Sequence, residues 1–244
     1  MIHETAAAGF SAGADAYERG RPSYPAVAVD LLVDELGIGP GRDVLDLAAG
    51  TGKLTQLLVA TGAHVVAVEP VAEMRARLRD VEALEGTAES IPRPDASFDA
   101  VTVAQAFHWF DAPTALAEIQ RVLRPGGGLG LVWNERDEAT PWVAELSDLY
   151  NWGVERPYPK GVDWAAIVDA SGRFTPCAHR QFLWSQEIDA DTLVARVLST
   201  SYVATWPAAR QAGVEADVRA LVAAFGATFS LPYVTDVYWC SARS

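Results

Sequence analysis

Residues Val44 to Thr55 read VLDLAAGTGKLT. A short apolar run holding one acid, Asp46, leads into Gly50-Thr51-Gly52, and a helical pattern starts at Lys53. Glycine reaches φ > 0 without a steric penalty and lets the backbone approach a ligand closely. The N–H groups at the start of a helix have no partner within it and favour an anionic or polar group. By itself a Gly-x-Gly turn fits an ordinary tight turn as well as a ligand loop. Asp46 alters the balance, because a carboxylate inside a buried strand is costly unless partners surround it, such as an ammonium group or ordered water.

Three more apolar, β-branched segments follow: His64 to Glu69, Phe98 to Val103 and Gly128 to Trp133. With Asp43 to Ala48 they have the length and continuity of strands buried on both faces of a parallel sheet. A weaker strand, Val81 to Glu85, lies between the second and third of the four. Helical patterns run over Pro25 to Leu36, Lys53 to Thr61, Val71 to Asp80 and Ala112 to Leu123, and Arg124-Pro125-Gly126-Gly127 ends the last of these. This alternation indicates βαβ units. After Trp133 the rhythm breaks. Residues 137–170 read as an insertion, Arg180 to Ile188 and Val234 to Cys240 alternate like strands, and Asp191 to Thr205 and Val214 to Phe225 look helical. One domain over 1–244 is expected: 1–36 as N-terminal segment and first helix, 37–135 as ligand-binding core, 136–244 as insertion and closing strands.

Glu69 ends the second strand, 17 residues after Gly52. From there a carboxylate in a dinucleotide fold accepts hydrogen bonds from two ribose hydroxyls. Met74 lies five residues further on, where a thioether can cover a flat ring; core packing explains it equally well.

Composition narrows the partners. The chain has 244 residues, half of them hydrophobic, with 32 acidic against 19 basic residues and a formal charge of −13. Duplex binding needs clustered cations, so no nucleic-acid partner is expected. Arg75, Arg77 and Arg79 alternate along a helix as a solvated face. No apolar run approaches the ~20 residues of a membrane helix, and no leader pattern opens the chain; a cytoplasmic protein with no membrane partner is expected. Cys177 and Cys240, distant in sequence, supply no framework or metal spacing and read as reduced thiols. The four histidines, His3, His64, His108 and His179, are scattered, and no metal is expected.

Asp46-x-x-x-Gly50-x-Gly52 with Glu69 resembles motif I and the ribose acid of class I S-adenosylmethionine-dependent methyltransferases. EGTAESIP (Glu85 to Pro92) resembles their third-strand turn, SFDAVTVAQAFHWF (Ser97 to Phe110) their fourth strand, and RVLRPGGGL (Arg121 to Leu129) the approach to their fifth. ADAYERGRPSYP (Ala14 to Pro25) is similar to the opening of type-11 methyltransferase domains of the trans-aconitate methyltransferase-like subgroup. The resemblance spans roughly residues 10–135 and the last strand. It implies a doubly wound α/β fold with a mostly parallel seven-stranded sheet, an N-terminal lid helix and a helical insertion after the fifth strand. It also implies S-adenosylmethionine as cofactor, held by Tyr17, Arg21, Asp46, Gly50, Thr51, Gly52, Glu69, Pro70, Met74, Ala88, Glu89 and Gln105. Two positions depart from the pattern. Ala48 stands where a third glycine is usual, a substitution costing on the order of 1 kcal/mol or more if its φ is positive. Thr87 stands where an Asp is common, leaving Glu89 as the acceptor for the adenine amino group and the Ala88 N–H for the ring.

Two other readings differ in kind. A nicotinamide-dependent oxidoreductase shares the ribose acid, but its fingerprint needs a third glycine where this chain has Thr55. A module that holds the cofactor without turnover differs only in yielding no methylated product. For the enzyme, His108 is the candidate catalytic residue: it follows the fourth strand, at the sheet edge where open α/β folds bind ligands, and can serve as general base if the acceptor is a hydroxyl or acidic carbon. Capping a helix or packing on Trp109 is the alternative role. Trp133, Asn134, Tyr202 and Trp206 are candidates for the acceptor pocket or for packing. The expected acceptor is a small molecule bearing a carboxylate or hydroxyl.

Overall fold

The computed structural model describes residues 22–156 and 158–243. Seven strands form one sheet in the order β3-β2-β1-β4-β5-β7-β6. They are β1 (Asp43–Leu47), β2 (His64–Val68), β3 (Glu82–Leu84), β4 (Phe98–Ala104), β5 (Leu123–Arg136), β6 (Ala178–Ile188) and β7 (Phe229–Ser241). The first five pair in parallel; β7 enters antiparallel between β5 and β6. The strand order reverses between β1 and β4, which opens a crevice at their carboxyl ends.

Burial explains the continuous apolar runs. Leu45 and Leu47 face one core layer with Val101, Val103, Leu129, Leu131 and Trp133, whereas Val44, Ala100 and Val132 face another. Helix α1 (Ala26–Leu36) covers the second face. It crosses β5 so closely that a Cβ at Gly130 would come within 2.4 Å of Leu32 Cδ1. Helix α2 (Lys53–Val59) follows the glycine turn, and α4 (Ala112–Val122) packs its Leu116 and Ile119 on the other face.

Several elements differ in extent from the sequence pattern. The helix expected over Val71 to Asp80 forms only α3 (Ala72–Arg75). The chain then turns so that Leu78 lies over the glycine turn, 3.0 Å from where a Gly52 Cβ would stand. The expected Arg-Pro-Gly-Gly turn is an excursion inside one long strand: Leu123 still pairs Phe98, while Ala100 pairs Gly128. Beyond β5 come α5 (Pro141–Leu149), α6 (Trp152–Glu155) and α7 (Trp164–Ala170), the helical insertion. The helix expected over Asp191 to Thr205 stops as α8 (Ala190–Leu198), followed by a 3-10 turn, Val203–Thr205. Ser199 and Thr200 hydroxyls donate back to the Arg196 carbonyl at 3.0 and 3.4 Å, a competition with the helical ladder typical of such residues. Helix α9 (Ala208–Val222) begins earlier than its apolar pattern, after Pro207. Among the described residues no helix is long and apolar enough to cross a membrane.

Candidate active site

The glycine turn hangs from the carboxyl end of β1. Ala48, Gly50 and Gly52 all have positive φ, 57°, 59° and 89°. A Cβ at Gly50 would meet nothing within 4 Å, so the turn faces open space. Ala48 therefore occupies the left-handed region that favours glycine, at the steric cost anticipated for that case. Gln105, at the carboxyl end of β4, is held at φ 57° by its N–H to the Val132 carbonyl (2.9 Å) and its Nε2 to the Asn134 carbonyl (2.8 Å). Non-glycine residues in this region cluster where ligands bind.

Asp46 is 1% exposed and finds its partners inside the protein. Thr55 Oγ1 donates to Oδ2 at 2.6 Å and Thr102 Oγ1 to Oδ1 at 3.0 Å. Burial outweighs these bonds and pushes its pKa up to about 6. Thr55 thus fills the place where a nicotinamide fingerprint requires glycine. Glu69, 4% exposed, clamps two loops: Oε2 accepts the Gly50 N–H at 2.8 Å and Oε1 the Val71 N–H at 2.9 Å. Burial raises its pKa, opposed by those two N–H bonds and the nearby Arg75. Each oxygen keeps a further lone pair for a hydroxyl donor.

A cavity opens at the carboxyl ends of β1, β4 and β5. Asp46, Ala48, Ala49, Gly50, Thr51, Lys53 and Gln105 line one side; Asn134, Glu135, Arg136, Trp152, Tyr158, Thr200 and Tyr233 line the other. The second wall carries aromatic rings, the Arg136 guanidinium and the Glu135 carboxylate. The Arg136 guanidinium donates to the Tyr150 hydroxyl and lies 5.2 Å from the Tyr150 and Trp152 ring centres. Buried Arg156 pairs with Glu135 and lies 4.2 Å over Tyr158, whose hydroxyl donates to the same Glu135 oxygen at 2.9 Å.

Residues 45–131 match the methyltransferase domain family. An uncharacterized methyltransferase of Mycobacterium bovis is 45% identical over 235 residues, covering 93% of this chain and 92% of that one. The chain belongs to the methyltransferase family. Solved methyltransferases share its fold. A putative type II methyltransferase from Anaeromyxobacter dehalogenans covers 91% of this chain, and 97% of itself, at a TM-score of 0.63 and 23% identity. The phosphoethanolamine N-methyltransferase 2 of Haemonchus contortus, solved with S-adenosyl-L-methionine, covers 98% of this chain and 57% of itself at a TM-score of 0.56 and 15% identity. This methyltransferase is an enzyme built on one seven-stranded α/β sheet.

The enzyme gathers some expected residues and separates others. Asp46, Gly50, Thr51 and Gln105 share the cavity, and Gly52 N–H closes the turn on the Ala49 carbonyl at 3.0 Å. Glu69, Met74 and Ala88 are buried, at 4%, 3% and 3%, and do not line it. Glu89 Oε1 accepts the Asp111 N–H at 3.0 Å, which ties it to the start of α4; the Pro70 carbonyl accepts from Arg75 at 3.1 Å. Tyr17 and Arg21 lie outside the described residues. His108 sits on the 3-10 turn Phe107–Trp109 and is not among the cavity residues; its ring centre is 4.3 Å from that of Tyr158 and 4.8 Å from that of Trp109. Asn134 lines the cavity, whereas Trp133 stacks on Trp164 at 4.6 Å, Tyr202 donates to the Tyr150 carbonyl, and Trp206 packs beneath Arg210. Sequence reasoning missed Pro22, Tyr24, Lys53, Leu54, Ala104, Glu135, Arg136, Trp152, Tyr158, Thr200 and Tyr233 among the lining residues. Arg136 carried a signal, two residues past Asn134 on the same face of β5, and Pro22 and Tyr24 lie within the quoted opening ADAYERGRPSYP.

Proposed function

We propose that the enzyme methylates a small acceptor bearing a carboxylate, with a hydroxyl as the other candidate nucleophile, in the half of the cavity walled by Arg136, Trp152, Tyr158, Thr200 and Tyr233. The observation that carries this reading is the continuity of one cavity from the glycine turn to Arg136. A guanidinium matches a carboxylate by paired, directional hydrogen bonds, and the aromatic rings exclude water around it. A small carboxylic acid is also the acceptor class implied by the likeness of the chain's opening to the trans-aconitate subgroup.

On this reading the Gly50-Thr51-Gly52 turn holds the amino-acid end of the cofactor, Asp46 faces its positive charge, and Glu69 takes the ribose hydroxyls with its spare lone pairs. Met74, Pro70 and the Ala88–Glu89 turn flank the adenine. Glu89 keeps one oxygen for the amino group, the other being held by Asp111. The bound cofactor supplies a methyl group already activated on a sulfonium. The chain's own contribution is position, and alignment of this kind is worth up to roughly 7–11 kcal/mol. A carboxylate acceptor is ionised at neutral pH and needs no base. His108 then acts by packing Tyr158 into the wall, and becomes a general base only for a hydroxyl acceptor.

The test is methyl transfer from isotopically labelled cofactor to a panel of small carboxylic acids and phenols. Methyl esters release labelled methanol in mild alkali and ethers do not, so product chemistry reports the nucleophile. Ester formation, lost in Arg136→Met with cofactor affinity retained, is the expected result. Alkali-stable products alone would overturn the carboxylate assignment.

A further inference from the structure

Cys177 and Cys240 are far apart in sequence and meet across the β6–β7 ladder. Ala178, at the start of β6, lies opposite Trp239, so one further step sets Cys177 against Cys240. Beyond them Phe174 bridges Ala242, one residue out of step with that register. The extra residue forms a bulge at Pro176–Cys177, and Cys240 is the residue it faces. The Cys177 N–H donates to Asp169 Oδ1 at 2.9 Å, which fixes the bulge to the end of α7.

Both side chains pack in the same apolar layer; Cys240 is buried and Cys177 partly exposed. The neighbouring Cys177 thiol, together with burial, holds the Cys240 thiol well above the ordinary cysteine range. Cys177 lies one residue beyond the last regular pair of the ladder, where opposed Cα atoms are about 4.5–5.5 Å apart, against the about 4.4–6.8 Å that a disulfide spans.

We propose that Cys177 and Cys240 form a redox-active dithiol that closes to an intramolecular disulfide, a covalent clamp between the start of β6 and the end of β7. The pair lies at the far end of the sheet from the active site: Cys240 is opposite Leu129, whereas Tyr233 of the cavity wall is opposite Arg136. A low-molecular-weight disulfide such as oxidised glutathione is the oxidant. The Cys177 thiolate, the accessible one, attacks one glutathione sulfur; that S–S bond breaks and one glutathione thiolate leaves. Cys240 attacks the Cys177 sulfur as its proton passes to the departing glutathione thiolate, forming the protein disulfide and releasing the second glutathione. Two protein thiols are oxidised and one glutathione disulfide is reduced to two thiols.

The test is to incubate the native chain with oxidised glutathione, quench in acid, alkylate, and read the intact mass and cysteine peptides. Wild type is expected to lose two hydrogens and take up no alkyl group, reversibly with dithiothreitol. Cys240→Ser is expected to stop at one bound glutathione on Cys177, and Cys177→Ser to stay unmodified. The oxidised wild type should melt several degrees higher, because the cross-link closes a long loop, and the dithiol-to-serine variants should retain methyl transfer. A lasting mixed disulfide on wild type, disulfide-linked dimers, two thiols still open to alkylation, or an unchanged or lower melting temperature would each overturn the clamp.

Discussion

Glu69→Gln is a nearly isosteric change that should behave as a severe one. The carboxylate accepts two backbone N–H groups, from Gly50 at 2.8 Å and Val71 at 2.9 Å. An amide offers only one oxygen, so its NH2 must face one of those N–H donors. A buried donor left unsatisfied costs about 1–3 kcal/mol. For a chain of this length each kcal/mol moves the melting temperature by roughly 2–4 °C, which gives an expected drop of about 2–12 °C. Binding suffers separately. Hydrogen bonds from hydroxyls to a charged acceptor contribute about 1.5–3 kcal/mol, so affinity for S-adenosylhomocysteine should fall about 10- to 150-fold. The assay is calorimetry with S-adenosylhomocysteine and its 2′-deoxy analogue, alongside thermal melts by circular dichroism. Wild type should prefer the ribose form and the variant should lose that preference. Equal affinities of wild type and variant for the ribose form would refute the ribose role, and an unchanged melt would refute the loop clamp.

Three further outcomes follow from the same geometry. Asp46 titrates near 6 in the folded chain against an ordinary 3.8, so the folded state holds its proton more tightly than the unfolded one. Its contribution to stability is therefore full below about pH 4 and falls as pH rises to about 6, by about 3 kcal/mol. Denaturation of wild type and Asp46→Asn across that window should show wild type losing ground as pH rises, and parallel curves would contradict the burial argument. Ala48→Gly should relieve the strain at φ 57° and raise the melting temperature by a few degrees, the left-handed penalty of about 1–2 kcal/mol being partly offset by glycine's entropy; a lower melt would show that the Ala48 side chain is needed there. His108→Ala should lower turnover only a few-fold at saturating cofactor, whereas a fall of about 10²–10⁴-fold with intact cofactor affinity would make His108 the general base.

The parallel half of the fold was legible because its strands are buried on both faces: Val44 to Leu47 and Val65 to Val68 are apolar without alternation apart from Asp46, the pattern of a sheet covered by helices on both sides. Strand ends were harder. β6 is an edge strand with exposed Arg180 and Gln181, where polarity tells little about length. The glycine turn and Glu69 were legible as chemistry, but the clamp that Glu69 makes on Gly50 and Val71 depends on two loops meeting in space. The partners of Asp46 were missed for the same reason, since Thr55 and Thr102 come from α2 and β4. The acceptor wall was least legible. Trp152 and Tyr158 lie in an insertion with no periodic pattern, and Thr200 reaches the cavity only because α8 ends where Ser199 and Thr200 bond back to the Arg196 carbonyl. The two cysteines show the same limit, for their nearness follows from strand register.

A crystal structure with S-adenosylhomocysteine tests the central claim most directly. Both ribose hydroxyls should lie within hydrogen-bonding distance of the Glu69 carboxylate, with the homocysteine end over Gly50 and the sulfur directed toward the Arg136–Tyr158 wall. A ligand seated elsewhere, or a ribose turned away from Glu69, would contradict it.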